Sequence, residues 1–307
     1  MKSIAVRIPE VLARNVAGFQ GERGREWLGR LPELVAEFAG RWELTLGEPF
    51  PGMFYNYLVR AVRADGTGAV LKLGVPGGPI GSEADALRAF DGRGCVRLLE
   101  ADRDGGAMLL ELIEPGRTLD EVEDDDRATR YAAGVMKRVR RPVPEGRSFV
   151  TVADWSRGLN RLRKKFGGGT GPFPERLVER AERLYAELLA SVTGTFLLHG
   201  DLHHGNMLSA RREPWLAIDP QGVVGAPGYE VPPFVRNNLS GSADPARLVG
   251  RRVCVLADEL GLDRERVLNW ARAEAVLSAW WHYEDDDPEW RRAIPLAEMI
   301  GSVRLTA

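Results

Sequence analysis

The sequence predicts an α+β protein in which an antiparallel sheet with one helix precedes a larger, mainly helical part. Apolar and polar residues alternate in strand-length segments early in the chain, and a turn at Asp65-Gly66 joins two of them into a hairpin. Helical periodicity follows, most clearly over Pro174–Val192. Glu114-Pro115-Gly116 interrupts the pattern, so we predict two domains, residues 1–114 and 115–307.

The elements of the first part alternate between helix and strand. Residues 25–46 favour a helix that leads into a strand, and Ser82 has the position of an N-cap for a helix that continues to Phe90. This second helix directly follows the strand that contains Lys72. The strands are predicted in two hairpins, Asn56–Val62 with Ala69–Leu73 and Val96–Ala101 with Ala107–Ile113.

The second part is helical except around one histidine-rich segment. Phe196–Leu198 and Trp215–Ile218 are short apolar runs of strand type, and they flank the sequence HGDLHHGNML at residues 199–208. That motif is therefore expected in a loop after a strand. Residues 264–283 are again periodic and predict a late helix.

Composition excludes several classes of protein. The 42 lysines and arginines nearly balance 44 acidic residues, so charge gives no reason to expect nucleic acid as a partner. The two cysteines lie far apart and form neither a disulfide framework nor a CxxC site. No apolar run approaches the ~18 residues of a membrane span, and no signal peptide is visible. We expect a cytoplasmic protein without a membrane or nucleic-acid partner.

The HGDLHHGNML motif allows three hypotheses, and two of them need metal ligands that the chain lacks. His199 and His203 have the i, i+4 spacing of a zinc pair, but the intervening glycine argues against a helix, and no third ligand follows convincingly. A dinuclear phosphoesterase needs further histidines, whereas His282 is the only one after residue 204.

The third hypothesis is the catalytic loop of a phosphotransferase. In such a loop an aspartate orients the acceptor hydroxyl, an asparagine five residues later binds magnesium, and an aspartate on the next hairpin binds it too. Asp201, Asn206 and Asp219 have this spacing and order, so we expect them to meet in one cleft. Lys72, isolated in an apolar strand, and Glu83 on the next helix match the ion pair that grips nucleotide phosphates.

The chain resembles the aminoglycoside phosphotransferase family, which has a two-lobed protein-kinase-like fold. The resemblance is carried by HGDLHHGNML and AIDPQGVVGAPGYE. It is narrower with the branch of streptomycin 6-phosphotransferases and hydroxyurea-resistance kinases, through ALRAFDGRGCVRLLE, MLLELIEPGRTL, VEDDD and REPWLAIDP. It implies a nucleotide-binding lobe at 1–114 and a catalytic and substrate-binding lobe at 115–307.

The same resemblance implies roles for individual residues. The cofactors are ATP and Mg²⁺, with Asp201 as catalytic base, Asn206 and Asp219 as metal ligands, and Lys72 with Glu83 at the phosphates. Three consecutive residues, Glu111, Leu112 and Ile113, present backbone groups to adenine. His199 anchors the loop, His203 and His204 have no necessary proton chemistry, and Glu230 stands at a structural position where the family usually has aspartate.

The expected activity is transfer of the ATP γ-phosphoryl group to a hydroxyl of a cationic aminoglycoside similar to streptomycin. Trp281, Glu284 and Asp285, at and after the end of the late helix, are the candidate substrate residues, because aromatic rings and carboxylates bind cationic groups. Two alternatives remain. One is a kinase of another small compound, such as hydroxyurea or a sugar metabolite, and the other is a non-catalytic nucleotide-binding module.

Overall fold

The computed structural model describes residues 6–146 and 148–305, which divide into two compact units between Glu114 and Pro115. The first unit contains an antiparallel sheet and the second is mainly helical, so the predicted α+β class is confirmed. None of the helices in these ranges has the length and apolar character that crossing a membrane requires.

The first unit is a five-stranded antiparallel sheet with two helices among its described residues. The strand order is β1-β2-β3-β5-β4. The helices are α1 (Glu10–Arg41) and α2 (Ile80–Phe90), and the strands are β1 (Thr45–Pro49), β2 (Tyr57–Val62), β3 (Gly68–Leu73), β4 (Leu98–Asp102) and β5 (Ala107–Glu111). Both predicted hairpins form, since β2 pairs with β3 across Asp65-Gly66 and β4 pairs with β5.

Strand β3 lies in the middle of the sheet and places apolar residues on one face and Lys72 on the other. Ala69, Leu71 and Leu73 are buried in the core that the sheet shares with α1. Successive residues of a strand point to opposite faces, so Lys72 faces away from α1. Lys72 pairs with Leu58 on one side and with Met108 on the other, and it is 1% exposed.

Two predicted helix starts in the first unit are wrong. Helix α1 begins at Glu10 rather than near residue 25, and it is interrupted at Gly21, whose φ of 58° departs from helical geometry. Ser82 is not an N-cap: α2 begins at Ile80 after Pro79, and the Ser82 hydroxyl donates to the Pro79 carbonyl oxygen. Ile80 is buried at 3% exposure, so core packing extends this helix before the polar residue.

The second unit is built around two small sheets and a long buried helix. The sheets have the orders β10-β9-β6 and β7-β11-β8. Their strands are β6 (Pro115–Thr118), β7 (Val150–Thr151), β8 (Phe196–Leu198), β9 (Met207–Ala210), β10 (Trp215–Ala217) and β11 (Val223–Gly225). Both predicted strands, β8 and β10, thus flank the histidine-rich motif.

The helices of the second unit surround one long member near the end of the chain. They are α3 (Asp125–Val139), α4 (Val152–Ser156), α5 (Gly158–Lys165), α6 (Glu175–Ala190), α7 (Pro232–Arg236), α8 (Pro245–Leu260), α9 (Arg264–Glu284) and α10 (Trp290–Ser302). Helix α9 packs against α6, α7, α8 and α10. Two of its tryptophans, Trp270 and Trp280, are almost fully buried, which fixes the helix that carries the candidate substrate residues at its end.

Candidate active site

The motif at residues 199–208 forms a loop held between the two small sheets. It leaves β8, turns through a short 3₁₀ helix at His204–Asn206 and enters β9. Strand β10 pairs with β9 and returns the chain beside the loop, where the Ile218 N–H donates to the Asn206 carbonyl oxygen at 3.0 Å. Asp219 follows directly, so local pairing brings the segments of Asp201, Asn206 and Asp219 together.

His199 is a buried anchor for this loop. Its Nδ1 accepts the N–H of Asp201 and its Nε2 lies 2.8 Å from the Ile218 carbonyl oxygen, which makes the ring a neutral Nε2–H tautomer. Its carbonyl oxygen accepts the N–H groups of Gln221 and Gly222. Burial lowers the pKa of His199 to about 4. A ring with both nitrogens engaged and so low a pKa holds the loop and does not serve as a base.

The side chain of Glu230 holds the same loop by binding the loop's backbone. Its carboxylate accepts the N–H of His199 at 2.8 Å and the N–H of Gly200 at 2.9 Å. The residue ends a short 3₁₀ helix at Pro227–Glu230 and is 2% exposed. Burial raises the pKa of Glu230 to about 7, against the two N–H bonds that favour its ionised form.

Asp201 and Asn206 are linked by a side-chain to backbone hydrogen bond. The Asn206 amide Nδ2 donates to the Asp201 carbonyl oxygen at 3.0 Å. This contact uses the amide NH₂ within the loop and leaves the Oδ1 oxygen to bind other groups. The Asp201 side chain is 34% exposed, and its carboxylate accepts no hydrogen bond among the described residues. Its carboxylate is thus accessible to an acceptor molecule.

Asp219 adopts a backbone conformation that is uncommon for a residue with a side chain. Its φ is 58°, in the left-handed region, and it precedes Pro220, which further restricts it. Such strain costs roughly 1–3 kcal/mol and is concentrated at functional sites. The amide oxygen of Asn206 and the carboxylate of Asp219 are hard oxygen donors, and these suit magnesium, which needs few protein ligands.

The two other metal hypotheses find no support in the described parts of the chain. Residues 6–146 and 148–305 contain no group of three or more His, Cys, Asp and Glu side chains that could hold a metal ion. His204 is instead buried at 1% exposure and stacks on Phe234, with ring centroids 4.0 Å apart. Burial lowers the pKa of His204 to about 3, so this histidine is a core residue.

In the first unit, Lys72 and Glu83 form a buried ion pair. The Lys72 Nζ lies 2.7 Å from the Glu83 Oε1, and the two side chains are 2% and 9% exposed. Lys72 comes from the central strand β3 and Glu83 from the first turn of α2, which immediately follows. This contact holds the Lys72 Nζ at a fixed place in the interior of the first unit.

The segment predicted to contact adenine, residues 111–113, is partly hydrogen-bonded within the sheet. The Glu111 N–H donates to the Arg97 carbonyl oxygen at 3.0 Å, and the Leu112 N–H donates to the Gly68 carbonyl oxygen at 3.3 Å. The Glu111 side chain accepts the N–H of Arg97. Two of the three backbone N–H groups are therefore engaged within the sheet. We accordingly expect the N–H of Ile113 to be the donor to adenine.

Trp281, one of the candidate substrate residues, is linked to the loop at residues 199–208 by a contact with Trp155. Trp155 was not identified from the sequence. The Trp281 ring meets Trp155 edge to face, with centroids 5.4 Å apart. A Cβ on Gly200 would lie 2.9 Å from the Trp155 Cη2, so Trp155 touches the residue before Asp201. Strand β7, just before Trp155, pairs in parallel with β11, and this long-range pairing leaves no local signal in the sequence.

The two candidate acids at the end of α9 have different surroundings. Glu284 makes a bidentate ion pair with Arg161, at 2.6 and 2.7 Å. Burial, followed by the charge of Glu284, raises the pKa of Asp285. Glu284 is thus already neutralised by Arg161, and a substrate cation would have to compete with that arginine. A cation near Asp285 would instead offset the negative charge of Glu284 and favour the ionised form of Asp285.

Comparison with known proteins identifies the family. Residues 41–286 match the model of the aminoglycoside/hydroxyurea antibiotic resistance kinase family. Streptomycin 6-kinase of Streptomyces glaucescens is 38% identical over 285 residues, covering 91% of this chain and 92% of the relative. Hydroxyurea phosphotransferase of Kitasatospora aureofaciens is 39% identical over 307 residues, covering 96% of this chain and 86% of the relative.

A solved structure supports the fold independently of sequence. Choline kinase LicA from Streptococcus pneumoniae superposes with a TM-score of 0.62 at 15% identity, covering 88% of this chain and 99% of that chain. The same enzyme has been crystallised with AMP. The fold predicted from the catalytic motif, that of the protein-kinase-like phosphotransferases, is therefore confirmed, and the chain belongs to the aminoglycoside/hydroxyurea antibiotic resistance kinase family.

Proposed function

We propose that this chain transfers the γ-phosphoryl group of ATP to a hydroxyl group of an aminoglycoside of the streptomycin type and thereby inactivates the antibiotic in the cytoplasm. The observation that carries this proposal is the hydrogen bond from the Asn206 amide to the Asp201 backbone carbonyl oxygen, which ties both residues into one loop and leaves the partly exposed Asp201 carboxylate and the Asn206 amide oxygen out of that bond. That pairing suits a base next to a metal ligand. The 38% identity to a streptomycin 6-kinase supports the acceptor.

The proposed reaction is a single displacement at phosphorus. The acceptor oxygen forms a bond to the γ-phosphorus while the bond from that phosphorus to the bridging oxygen breaks, and ADP leaves with the electron pair. The acceptor proton goes to the carboxylate of Asp201. Because the transition state is loose, orientation of the hydroxyl by Asp201 contributes more than its basicity does.

Residues around the nucleotide have complementary roles. Lys72, held by Glu83, binds the α- and β-phosphates, and Ile113 offers its N–H to the adenine ring. Asn206 Oδ1 and the Asp219 carboxylate would hold Mg²⁺, which neutralises charge on the β- and γ-phosphates when bound. The anchored backbone around His199 keeps these oxygens in place without solvent reorganisation.

The acceptor binds beside Gly200, against the aromatic pair of Trp155 and Trp281. An indole face attracts a guanidinium or ammonium group placed over it. Asp285, whose carboxylate has its pKa raised by burial and by Glu284, gains from a cation nearby. A cationic sugar with guanidinium groups, as streptomycin-like compounds have, satisfies both features.

A second candidate acceptor is hydroxyurea, and two observations favour it. The hydroxyurea phosphotransferase relative is 39% identical over 307 residues, which is as similar as the streptomycin enzyme. In addition, Glu284 is neutralised by Arg161, so the end of α9 offers less negative charge than the sequence predicts. A small neutral acceptor would need only the hydroxyl contact with Asp201.

An acceptor screen tests the proposal. ATP consumption is measured with streptomycin, other aminoglycosides, hydroxyurea and simple sugars, and each product is checked for one added phosphate by mass spectrometry. We expect streptomycin to give the highest kcat/KM and Asp201→Asn to lower kcat by roughly 10²–10⁴-fold. Preferential turnover of hydroxyurea would favour the second candidate, and preferential turnover of a neutral sugar would exclude both acceptors. Unaltered turnover by Asp201→Asn would exclude Asp201 as the base.

A further inference from the structure

The histidine two residues after Asp201 directs a ring nitrogen at its carboxylate. The His203 Nε2 lies 3.8 Å from the Asp201 Oδ2, and the two side chains are 32% and 34% exposed. This distance is longer than a hydrogen bond but well within electrostatic attraction. Catalytic hydrogen bonds are often long in a free enzyme and tighten when the substrate binds.

The other ring nitrogen of His203 fixes which hydrogen the ring carries. The Gly205 N–H donates to the His203 Nδ1 at 3.1 Å, so this side chain caps the 3₁₀ helix at His204–Asn206. A nitrogen that accepts a hydrogen bond carries no hydrogen, and in a neutral imidazole the hydrogen must then be on Nε2. The His203 ring therefore offers Asp201 a donor.

A side chain at Gly205 would crowd this arrangement. A Cβ at that position would lie 3.2 Å from the His203 Cε1, 3.4 Å from its Nδ1 and 3.6 Å from the Asp120 Oδ2. A side chain at position 205 would push the imidazole by a few tenths of an ångström. His203 and Gly205 thus depend on each other, since Gly205 supplies the N–H that orients the imidazole and leaves room for it.

We propose that His203 is a positioning residue that holds Oδ2 of Asp201 through its Nε2–H and leaves Oδ1 to receive the acceptor hydroxyl. The terminal torsion of an aspartate is broad, so an unrestrained carboxylate rotates between orientations. Restraining it raises the fraction of complexes in which the acceptor oxygen is aligned. The inference rests on the proposed role of Asp201 as the base, and it gives His203 a part that the sequence resemblance did not.

Two substitutions separate the contact with Asp201 from the cap on Gly205. In His203→Asn the amide oxygen can still accept the Gly205 N–H, but no donor reaches Asp201. In His203→Gln the longer side chain can place an amide N–H near Asp201. We expect His203→Asn to lower kcat by about 10- to 100-fold with unchanged KM for ATP and unchanged Tm, and His203→Gln to recover most of kcat.

The measurement is steady-state kinetics with the best acceptor from the screen, together with thermal unfolding of each variant. Wild-type kcat in His203→Asn would overturn the inference while leaving Asp201 as base. Equal losses of kcat in both variants, accompanied by lower Tm, would also overturn it, because they would show a structural role. Asp201→Asn distinguishes the two proposals, since wild-type turnover in that variant refutes Asp201 as the base and with it the role of His203.

Discussion

The carboxylate of Glu230 accepts the backbone N–H of His199 at 2.8 Å, and it is buried where it does so. The neighbouring N–H of Gly200 donates to the same carboxylate. A side chain from a distant 3₁₀ helix thus fixes the backbone directly before Asp201. Glu230 therefore couples the stability of the fold to the geometry of the loop that contains Asp201.

Glu230 should make stability depend on pH. Burial raises its pKa to about 7 from an ordinary 4.5. A carboxyl with a raised pKa in the folded state contributes stability that is complete below the unfolded pKa and is lost as pH rises through the folded value. The contribution of Glu230 to the free energy of unfolding should therefore fall between pH 4.5 and 7.

Glu230→Gln isolates this contribution, because glutamine has similar size and does not ionise. It leaves one N–H poorly paired, which costs about 1–3 kcal/mol at every pH. We expect the Tm of the wild type to exceed that of the variant by more at about pH 5 than at about pH 8. A constant difference would show that the carboxyl titrates normally.

Variants of the Lys72–Glu83 pair should affect stability and nucleotide binding differently. Removing one partner of a buried ion pair is strongly destabilising, so Lys72→Met should lower the free energy of unfolding by roughly 3–5 kcal/mol. The double variant Lys72→Met with Glu83→Gln should recover much of this loss, because neither charge remains. ATP affinity, measured by calorimetry, should be low in both variants. Recovery of affinity in the double variant would contradict the role of Lys72 at the phosphates.

Gly200 has no room for a side chain. Its φ is 86°, and a Cβ would lie 2.8 Å from the Val223 Cγ1 and 2.9 Å from the Trp155 Cη2. We expect Gly200→Ala to lower Tm, at a cost of about 1–3 kcal/mol for the backbone strain alone, and to lower kcat by displacing the loop. Gly29→Ala is the control, since nothing lies within 4 Å of that helical position. It should be neutral or slightly stabilising.

The loop of the HGDLHHGNML motif was predictable because its contacts are local. The spacing of Asp201, Asn206 and Asp219 reflects one loop and one hairpin, and hydrogen bonds between neighbouring segments bring these together. Lys72 and Glu83 are likewise eleven positions apart on a strand and the helix that follows it. Patterns of this range are visible in the sequence because each depends on few intervening residues.

Contacts between distant segments could not be read from the chain. Trp155 contacts Gly200 because β7, just before it, pairs with β11. A strand of two residues is too short to show a periodic pattern in the sequence. Arg161 neutralises Glu284 across 123 positions, so an acid that looks available in the sequence is engaged in the structure. The early start of α1 follows from burial of Leu12 and Val16 against the sheet, which a local helix pattern does not contain.

Asp219→Asn tests the proposed metal site without adding backbone strain. The Asp219 φ of 58° is tolerated best by glycine, asparagine and aspartate, so Asp219→Asn should keep the left-handed turn. The variant loses a charged oxygen ligand. We therefore expect ATP binding by calorimetry to lose its enhancement by magnesium, while binding without magnesium is unchanged. Magnesium-dependent binding equal to that of the wild type would exclude Asp219 as a ligand, and a lowered Tm would instead show that its carboxylate supports the turn.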